Sequence, residues 1–570
     1  MNHVLTYLDL ADSLLCSTPT RAQIAGSPKL AFRQTYQIRV DRTMPFEFIA
    51  NLMPPFCRLW EADVRFVYSE YDAALTGLGG DMQADVFIIW IDWRIYSQSM
   101  TAQEAVHWLH ERIQKLRAAT NKPIWVNNWP ESLVETDILF SFSASDRGWF
   151  RKLNMHISEW IERNTDCMLI DLAALAQGCP EPFHDYRNEE ISNYPFSNEA
   201  TIMVSRHLSV HLLPAAFAPR LKAIALDLDD TLYNGVLGEE GPEAVLLTEG
   251  HHLLQRLLLR LKQSGMLLTL CSRNEEQDVK ALFEKRDDFP LKWDDFAAVC
   301  ANWRTKAENL DRLAQILNID PSAFLFVDDN PAELLKMAAA RPEVHLLRAK
   351  RNGIETMKGL CHYPGLYQLH PDDAALSRTA DIQANQQRER IRHEASDYNA
   401  YLASLKMRIT VYENDSSHAK RLYELSRKTN QFNLALRRMT EREVNEAMDI
   451  NHFLSAAVSL SDVLSDSGVI GAFICRIEGE QAQLIETLFS CRALGREIET
   501  VAFAWVLEKL AARGVQHLQI DTIQGPRNAP ALDWLKRFVD DPSKPQSLHE
   551  LLKRVKAACR DHPAKVEVKA

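Results

Sequence analysis

The sequence predicts an α/β multidomain fold, in which two parallel-sheet domains precede a smaller α+β domain. The chain has 570 residues, and at about 100–200 residues per domain this length favours three or four domains. As far as Leu347, apolar runs of strand length alternate with amphipathic helical patterns. Beyond a polar stretch, strand-like runs follow one another directly, which is typical of α+β structure.

The predicted strands of the first domain are residues 85–90, 123–126 and 167–170, and those of the second are 223–229, 266–270, 324–327 and 344–347. Those of the third are 453–460, 469–475 and 484–489, and the tail beyond Pro530 is predicted to be helical and either solvated or docked. The predicted domains are therefore residues 1–218, residues 219–370, a helical connector at 371–405, and residues 406–570.

The composition is that of an ordinary globular protein and disfavours several other classes. Hydrophobic residues make up 46% and charged residues 25%, which argues against collagen-like, coiled-coil and largely disordered chains. The net charge of −12 provides no whole-chain field for nucleic acid or for an anionic membrane surface. The 10 cysteines form no CxxC pair, and no apolar run is long enough to span a membrane. We expect a soluble, cytoplasmic protein without nucleic-acid or membrane partners.

Carboxylates follow two of the predicted strands of the second domain. Asp227 and Asp229 come after the apolar run 223–226, and because residues i and i+2 of an extended chain share a side, both should face one site. Asp328 and Asp329 follow another apolar run, and they meet the first pair if the two strands are neighbours. Like charges at such a distance require a cation or a shared proton. All-oxygen ligation of this kind suits Mg²⁺.

A hydroxyl and a lysine lie between these two acidic motifs. Ser272 ends a predicted strand, Asn274 opens the helix that follows, and free N–H groups at a helix start can hold a phosphate. Lys306 opens a later helix and adds a positive charge. Since Asp, Asn and Thr also favour helix caps and turns, each acidic motif taken alone could be purely structural. Four motifs in order, each at a strand end, favour a catalytic site.

The order DxDxT, then Ser, then Lys, then DD resembles the haloacid dehalogenase superfamily of phosphotransferases. The resemblance implies that Asp227 is the nucleophile that attacks phosphorus and that Asp229 protonates the leaving oxygen. The phosphate-binding residues that it implies are Thr231, Ser272, Asn274 and Lys306. The Mg²⁺ ligands that it implies are Asp227, the carbonyl group of Asp229, and Asp328, and Asp329 is either a ligand or a neighbour of one.

Several longer segments, LYNGVLGEEG, CSRN, VDDNPAE, TNQFNLALRR and SCRALGRE, together resemble the FkbH-type proteins of polyketide and related natural-product pathways. The resemblance implies that 1,3-bisphosphoglycerate is converted into a glyceryl group carried as a thioester on an acyl carrier protein. The motif spacing leaves no room for a large cap domain, so a carrier arm could reach the site.

The resemblance further implies a Rossmann-like dehalogenase-type core flanked by two domains. The N-terminal one is SGNH-hydrolase-like, and the C-terminal one has the GNAT acyltransferase fold. The Gly-Asp-Ser turn of SGNH hydrolases is not visible after residues 36–42, so we predict no hydrolase activity. In the GNAT-like domain, Arg492, Gly495 and Arg496 match the start of the RxxGxG/A loop and are predicted to contact the phosphopantetheine arm. Glu497 replaces the last small residue of that loop, which disfavours coenzyme A.

Transfer of an acyl group to a carrier suggests a thiol on the enzyme, and Cys271, beside Ser272, is the best-placed candidate. Cys491 is a second candidate, and a buried structural cysteine is the alternative for Cys271. An acidic carrier would need a local basic face, for which Arg496 and Lys509 are candidates together with Arg492. Two other functions stay open: a phosphatase or phosphotransferase on another small acid, and a non-catalytic docking scaffold of a synthase.

Overall fold

The computed structural model describes residues 2–78, 83–131, 146–164, 167–368, 378–429, 431–490, 494–525 and 528–569. The chain divides into two compact units, Met1–Leu376 and Ser377–Ala570. The first unit holds two parallel sheets and the second holds one mixed sheet, so the prediction of a multidomain α/β chain with parallel sheets is confirmed. The finer division of the first unit at residue 219 stays a prediction.

The first sheet is parallel throughout, with the strand order β2-β1-β3-β4-β5. Its strands are β1 Gln34–Arg42, β2 Ala62–Tyr71, β3 Val86–Trp90, β4 Ile124–Asn127 and β5 Cys167–Ile170. The helices of this part are α1 Asn2–Leu14, α2 Arg21–Ala25, α3 Glu47–Ala50, α4 Met53–Cys57, α5 Ala102–Ala119, α6 Asp146–Arg163, α7 Leu172–Gln177, α8 Tyr186–Ser192, α9 Asn198–Arg206 and α10 Leu213–Phe217. Every residue of β3 and β4 is buried, as helices on both faces of a sheet require.

The second sheet is also parallel and has the strand order β10-β9-β6-β7-β8. Its strands are β6 Ala223–Leu226, β7 Leu267–Ser272, β8 Ala298–Ala301, β9 Phe324–Asp328 and β10 His345–Arg348. Its helices are α11 Leu237–Glu240, α12 Glu249–Gln263, α13 Glu276–Lys285, α14 Lys306–Leu317, α15 Pro331–Ala340 and α16 Gly353–Cys361. From the central β6 the chain proceeds outward in both directions, so the switch point of the topology, where such sheets bind ligands, lies between β6 and β9.

No domain-sized insertion covers the carboxyl edge of this sheet within residues 227–266. That segment holds only α11, α12 and an isolated antiparallel bridge between Asn234 and Leu246. After β8, a loop of four residues leads from Ala301 to Lys306, where α14 begins. The edge is therefore open at both places.

Helix α1 packs against the second sheet although it precedes the first in the sequence. The hydroxyl oxygens of Tyr7 and Tyr363 lie 2.8 Å apart. The Asp12 carboxylate pairs with the side chains of Arg348 and Lys350, which lie at the end of β10. These contacts join the two sheets within one unit.

The second unit is built on a mixed sheet with the strand order β17-β16-β15-β14-β13-β11-β18, to which β12 adds by pairing with β15. Its strands are β11 Arg408–Glu413, β12 Phe432–Asn433, β13 Phe453–Ser461, β14 Asp466–Glu478, β15 Gln481–Phe489, β16 His517–Ile520, β17 Gln546–Ser547 and β18 Lys565–Lys569. The strands from β11 through β13 and β14 to β15 pair antiparallel, as predicted.

The helices of this unit are α17 Arg378–Glu394, α18 Tyr398–Ser404, α19 Ala419–Lys428, α20 Glu441–Glu446, α21 Ile498–Ala512, α22 Ala529–Lys536 and α23 Leu548–Cys559. The tail is not helical throughout, because β18 pairs with β11, and it is docked rather than solvated at α23, which buries Leu548, Leu551 and Val555. Across the described residues, none of the helices has both the length and the apolar composition needed to cross a bilayer.

A buried acid lies in this unit on β15. Glu486 is 1% exposed, and its Oε1 accepts a hydrogen bond from the N–H of Thr487 at 3.0 Å. Its Oε2 has no hydrogen-bond partner among the described residues. Burial raises the pKa of Glu486 to about 8, although Arg437 and Arg438 oppose the shift. The folded state therefore keeps a proton that the unfolded chain releases at lower pH.

We expect the free energy of unfolding of this unit to fall as the pH rises from about 5 to about 8, because the unfolded state then binds fewer protons than the folded state. A single group contributes a slope of at most about 1.4 kcal/mol per pH unit. The variant Glu486→Gln should lack this contribution, while Glu478→Gln, at an exposed position of β14, should keep it. Urea unfolding of the full chain at several pH values, read by proteolysis of this unit, measures the slopes. Equal slopes in all three proteins would contradict the assignment.

Candidate functional site

Two neighbouring strands bring two acids to the switch point of the second sheet. Asp227 follows β6, and its backbone N–H donates to the Val327 carbonyl oxygen of β9 at 3.0 Å. Asp328 is the last residue of β9, where Leu226 and Val327 are register partners. The predicted neighbourhood of the two acidic motifs is therefore present.

One lysine bridges these two acids. Lys306 is the first residue of α14, and its Nζ lies 2.9 Å from Oδ1 of Asp227 and 2.5 Å from Oδ2 of Asp328. The exposed fractions of the three side chains are 6%, 9% and 0%, so the ion pairs are shielded from water. Burial disfavours the ammonium form, but the two carboxylates outweigh it and raise the pKa of Lys306. The lysine is therefore a fixed positive charge.

The acids outnumber this charge. Ligand oxygens of Asp227, Asp328 and Asp329 all lie within 4.8 Å of one another. Burial raises the pKa of Asp227 to about 6; Asp328 adds to this shift and Lys306 opposes it. With all three acids ionised, one ammonium leaves a deficit of two positive charges, which is the charge of one divalent cation. Three carboxylates at this spacing fit Mg²⁺, which binds through oxygen.

The Asp229 side chain does not join this cluster. Its Oδ1 accepts hydrogen bonds from the Tyr233 hydroxyl at 2.7 Å and from the Leu237 N–H at 2.9 Å. Its Oδ2 accepts from Nδ2 of Asn274 at 2.9 Å. That the side chains of Asp227 and Asp229 face one site stays a prediction; strand alternation is not its reason, because β6 ends at Leu226. Only the carbonyl group of Asp229 is left as the predicted metal contact.

The predicted phosphate-binding residues lie beside this acid. Ser272 ends β7, which is the neighbour of β6, and its Oγ accepts from Nδ2 of Asn274 at 3.0 Å. Both side chains are buried. The Thr231 hydroxyl is buried and has no hydrogen-bond partner within the described part of the chain. The structure thus brings Ser272 and Asn274 to Asp229, and Lys306 to Asp227.

Cys271 does not have the environment of a nucleophile. Its side chain is fully buried, and its Sγ donates to the carbonyl oxygen of Lys306 at 3.4 Å. Burial raises the pKa of this thiol well above its ordinary value. Lys306 opposes the shift, and the acids nearby add to it. These features contradict the hypothesis that Cys271 carries an acyl group, since the thiolate is the reactive form. The second candidate, Cys491, lies outside the described residues.

The residues predicted to contact a carrier arm differ in how far the structure exposes them. Arg496 pairs with Asp462 at 2.9 Å, and the two side chains are 3% and 0% exposed. The prediction that Arg496 contributes to a solvated basic face is wrong, because this ion pair is buried. Gly495 is exposed and Lys509 partly so, while Arg492 lies outside the described residues. Contact of these residues with a carrier stays a prediction.

Neither a protein-family model nor a curated protein matches the sequence. Among solved structures, the N-terminal part of the protein BF1531 from Bacteroides fragilis, which contains a phosphatase domain complexed with Mg, is 20% identical; the match covers 64% of this chain and 99% of that chain, with a TM-score of 0.49. The ribosomal-protein-S18-alanine N-acetyltransferase from Escherichia coli is 13% identical over 22% of this chain and 74% of that chain, with a TM-score of 0.19. Likenesses this distant do not assign an activity, so the function is argued from the residues.

We expect Mg²⁺ to bind the purified chain and to stabilise it, because the cation offsets the charge deficit of the buried acids. Asp329→Asn removes one of the three carboxylates and should weaken the binding by at least about tenfold. Isothermal titration calorimetry and the thermal midpoint of unfolding with and without Mg²⁺ measure both effects. Asp287→Asn, at an exposed position of the same unit, is the control. Equal affinities in the two variants would contradict the assignment of Asp329.

Proposed function

We propose that this protein is a Mg²⁺-dependent enzyme of the haloacid dehalogenase type, which removes phosphate through a covalent intermediate on Asp227. The observation that carries the proposal is the buried cluster of Asp227, Asp328 and Asp329 around Lys306 at the switch point of a parallel sheet. Such a cluster offers a nucleophilic carboxylate, a fixed cation and a site for a metal in one place. A purely structural role does not account for two buried acids and a half-buried third with one ammonium.

The proposed reaction has two steps. An oxygen of Asp227 attacks phosphorus, the bond from phosphorus to the leaving oxygen breaks, and Asp229 gives its proton to that oxygen. Water then attacks the phosphorus of the phosphoaspartate and gives a proton to Asp229, and the bond to Asp227 breaks, which releases inorganic phosphate. Ser272 and Lys306 hold the phosphoryl oxygens meanwhile. When bound, Mg²⁺ would offset negative charge on these oxygens.

For the substrate we propose a phosphorylated three-carbon acid, 1,3-bisphosphoglycerate, with an acyl carrier protein of a polyketide or related pathway as the acceptor. A thiolate attacks the C1 carbonyl carbon and expels the C1 phosphate, which forms a thioester, and the phosphate on C3 is hydrolysed at Asp227. The resemblance to FkbH-type proteins supports this substrate, and the open edge of the second sheet supports access for a long arm. Because Cys271 is buried, the thiol in this proposal is that of the carrier's phosphopantetheine arm.

We expect a holo carrier protein to gain the mass of a glyceryl group when it is incubated with the enzyme, Mg²⁺ and 1,3-bisphosphoglycerate. With Asp227→Asn the carrier should retain the C3 phosphate or stay unloaded, because the nucleophile is missing. Mass spectrometry of the carrier and an assay of free phosphate measure the two results, with Asp287→Asn as the control.

Three outcomes separate the alternatives. Phosphate release without any loading of several carriers would reject the acceptor and favour a phosphatase on a small acid. Phosphate release that persists at the full rate in Asp227→Asn would reject the nucleophile. A chain that binds a carrier protein but releases no phosphate from any tested substrate would be a docking scaffold rather than an enzyme.

A further inference from the structure

The segment that follows Asp229 folds back onto that residue. Asp230 has a φ of 50°, in the left-handed region that non-glycine residues rarely adopt, and its Oδ1 accepts from the N–H of Gly235 at 3.0 Å. Gly235 has a φ of 113°, which a side chain would strain. The turn between these two residues carries Tyr233 and returns its hydroxyl to the Asp229 carboxylate. The left-handed backbone of this turn therefore brings the Tyr233 hydroxyl to the Asp229 carboxylate.

The ring of Tyr233 is held independently of its hydroxyl. The side chain is fully buried, and its ring centroid lies 5.9 Å from that of Phe289. The neighbouring carbonyl oxygen of Leu232 accepts from Nε2 of Gln255 at 3.0 Å, which fixes the backbone of the turn. Removal of the hydroxyl alone should therefore leave the ring and the turn in place. A Tyr233→Phe variant isolates the hydrogen bond to Asp229.

The two carboxylate oxygens of Asp229 accept hydrogen bonds from different donors. Oδ1 receives the Tyr233 hydroxyl and the Leu237 N–H, so both of its contacts lie on the turn and the start of α11. Among the described residues, Oδ2 accepts a hydrogen bond from Asn274 alone, which also donates to Ser272. Oδ2 is therefore the oxygen on the side of the phosphate-binding residues, and Oδ1 is the anchored one.

We propose that Tyr233 is a positioning residue, whose hydroxyl anchors Oδ1 of Asp229 so that Oδ2 is presented to the leaving oxygen of the substrate. The proposal rests on the proposed function, since Asp229 is taken as the group that protonates the leaving oxygen. Tyr233 acts through Asp229 and does not contact the phosphoryl group itself. Its effect should therefore depend on how much the leaving group needs a proton.

The kinetic test compares two phosphate esters with different leaving groups. The leaving group of 3-phosphoglycerate is the C3 alkoxide of glycerate, which needs protonation. The leaving group of p-nitrophenyl phosphate is p-nitrophenolate, which is stable without a proton. In Tyr233→Phe we expect kcat for 3-phosphoglycerate to fall by about 10- to 100-fold and kcat for p-nitrophenyl phosphate by less than about threefold. In an Asp229→Ala background, Tyr233→Phe should cause no further loss. Tyr7→Phe removes a buried hydroxyl of the same unit that contacts Tyr363, and serves as the control.

Equal losses with the two esters, or no loss with either, would overturn the proposal. A wild-type chain that releases no phosphate from either ester would reject the proposed function. A second measurement then tests whether Tyr233 anchors Asp229. Hydrogen exchange at the Leu237 amide reports the same anchor without any turnover. It should accelerate by about tenfold or more in Tyr233→Phe and stay unchanged in Tyr7→Phe. An unchanged rate in Tyr233→Phe would overturn the anchor itself.

Discussion

One buried ammonium group shared between two aspartates organises the second sheet and its site. Lys306 reaches Asp227 and Asp328 from the start of α14, so it fixes the distance between the ends of β6 and β9 from outside the sheet. Removing one partner of a buried ion pair costs about 3–5 kcal/mol, because the remaining charge loses its compensation. The same lysine does not balance all the acids present, since Asp329 joins them. A bound cation or a shared proton would offset the remaining charge.

This constraint separates the two acids of the DxDxT motif. Asp227 lies among the buried charges, while the carboxylate of Asp229 accepts hydrogen bonds from neutral donors. A nucleophile and a proton donor need such different surroundings, because the first has to be ionised and the second has to hold a proton when the leaving oxygen departs. The turn that begins at Asp230, inside the motif, brings the Tyr233 hydroxyl and the Leu237 N–H back to Asp229.

The strands that carry the motifs were predictable, because each is a short apolar run ending in polar residues whose spacing has a chemical meaning. The convergence of Asp227 and Asp328 followed from a general rule for parallel sheets. The donors to the Asp229 carboxylate were not predictable, because β6 ends at Leu226 and the turn after it sets where Tyr233 and Leu237 lie. The burial of Arg496 was missed, and that of Cys271 was one of two alternatives, because a sequence position does not reveal which side of the backbone the side chain occupies.

If Asp227 is the nucleophile, its buried carboxylate becomes covalently phosphorylated during turnover. A single turnover with Mg²⁺ and a substrate labelled in its phosphoryl group, stopped in acid and followed by peptide mapping, tests it most directly, because acid preserves an acyl phosphate long enough for digestion. The account predicts label on the peptide that contains Asp227, and loss of that label in Asp227→Asn. Release of labelled phosphate while the Asp227 peptide stays unlabelled at every time point would contradict it.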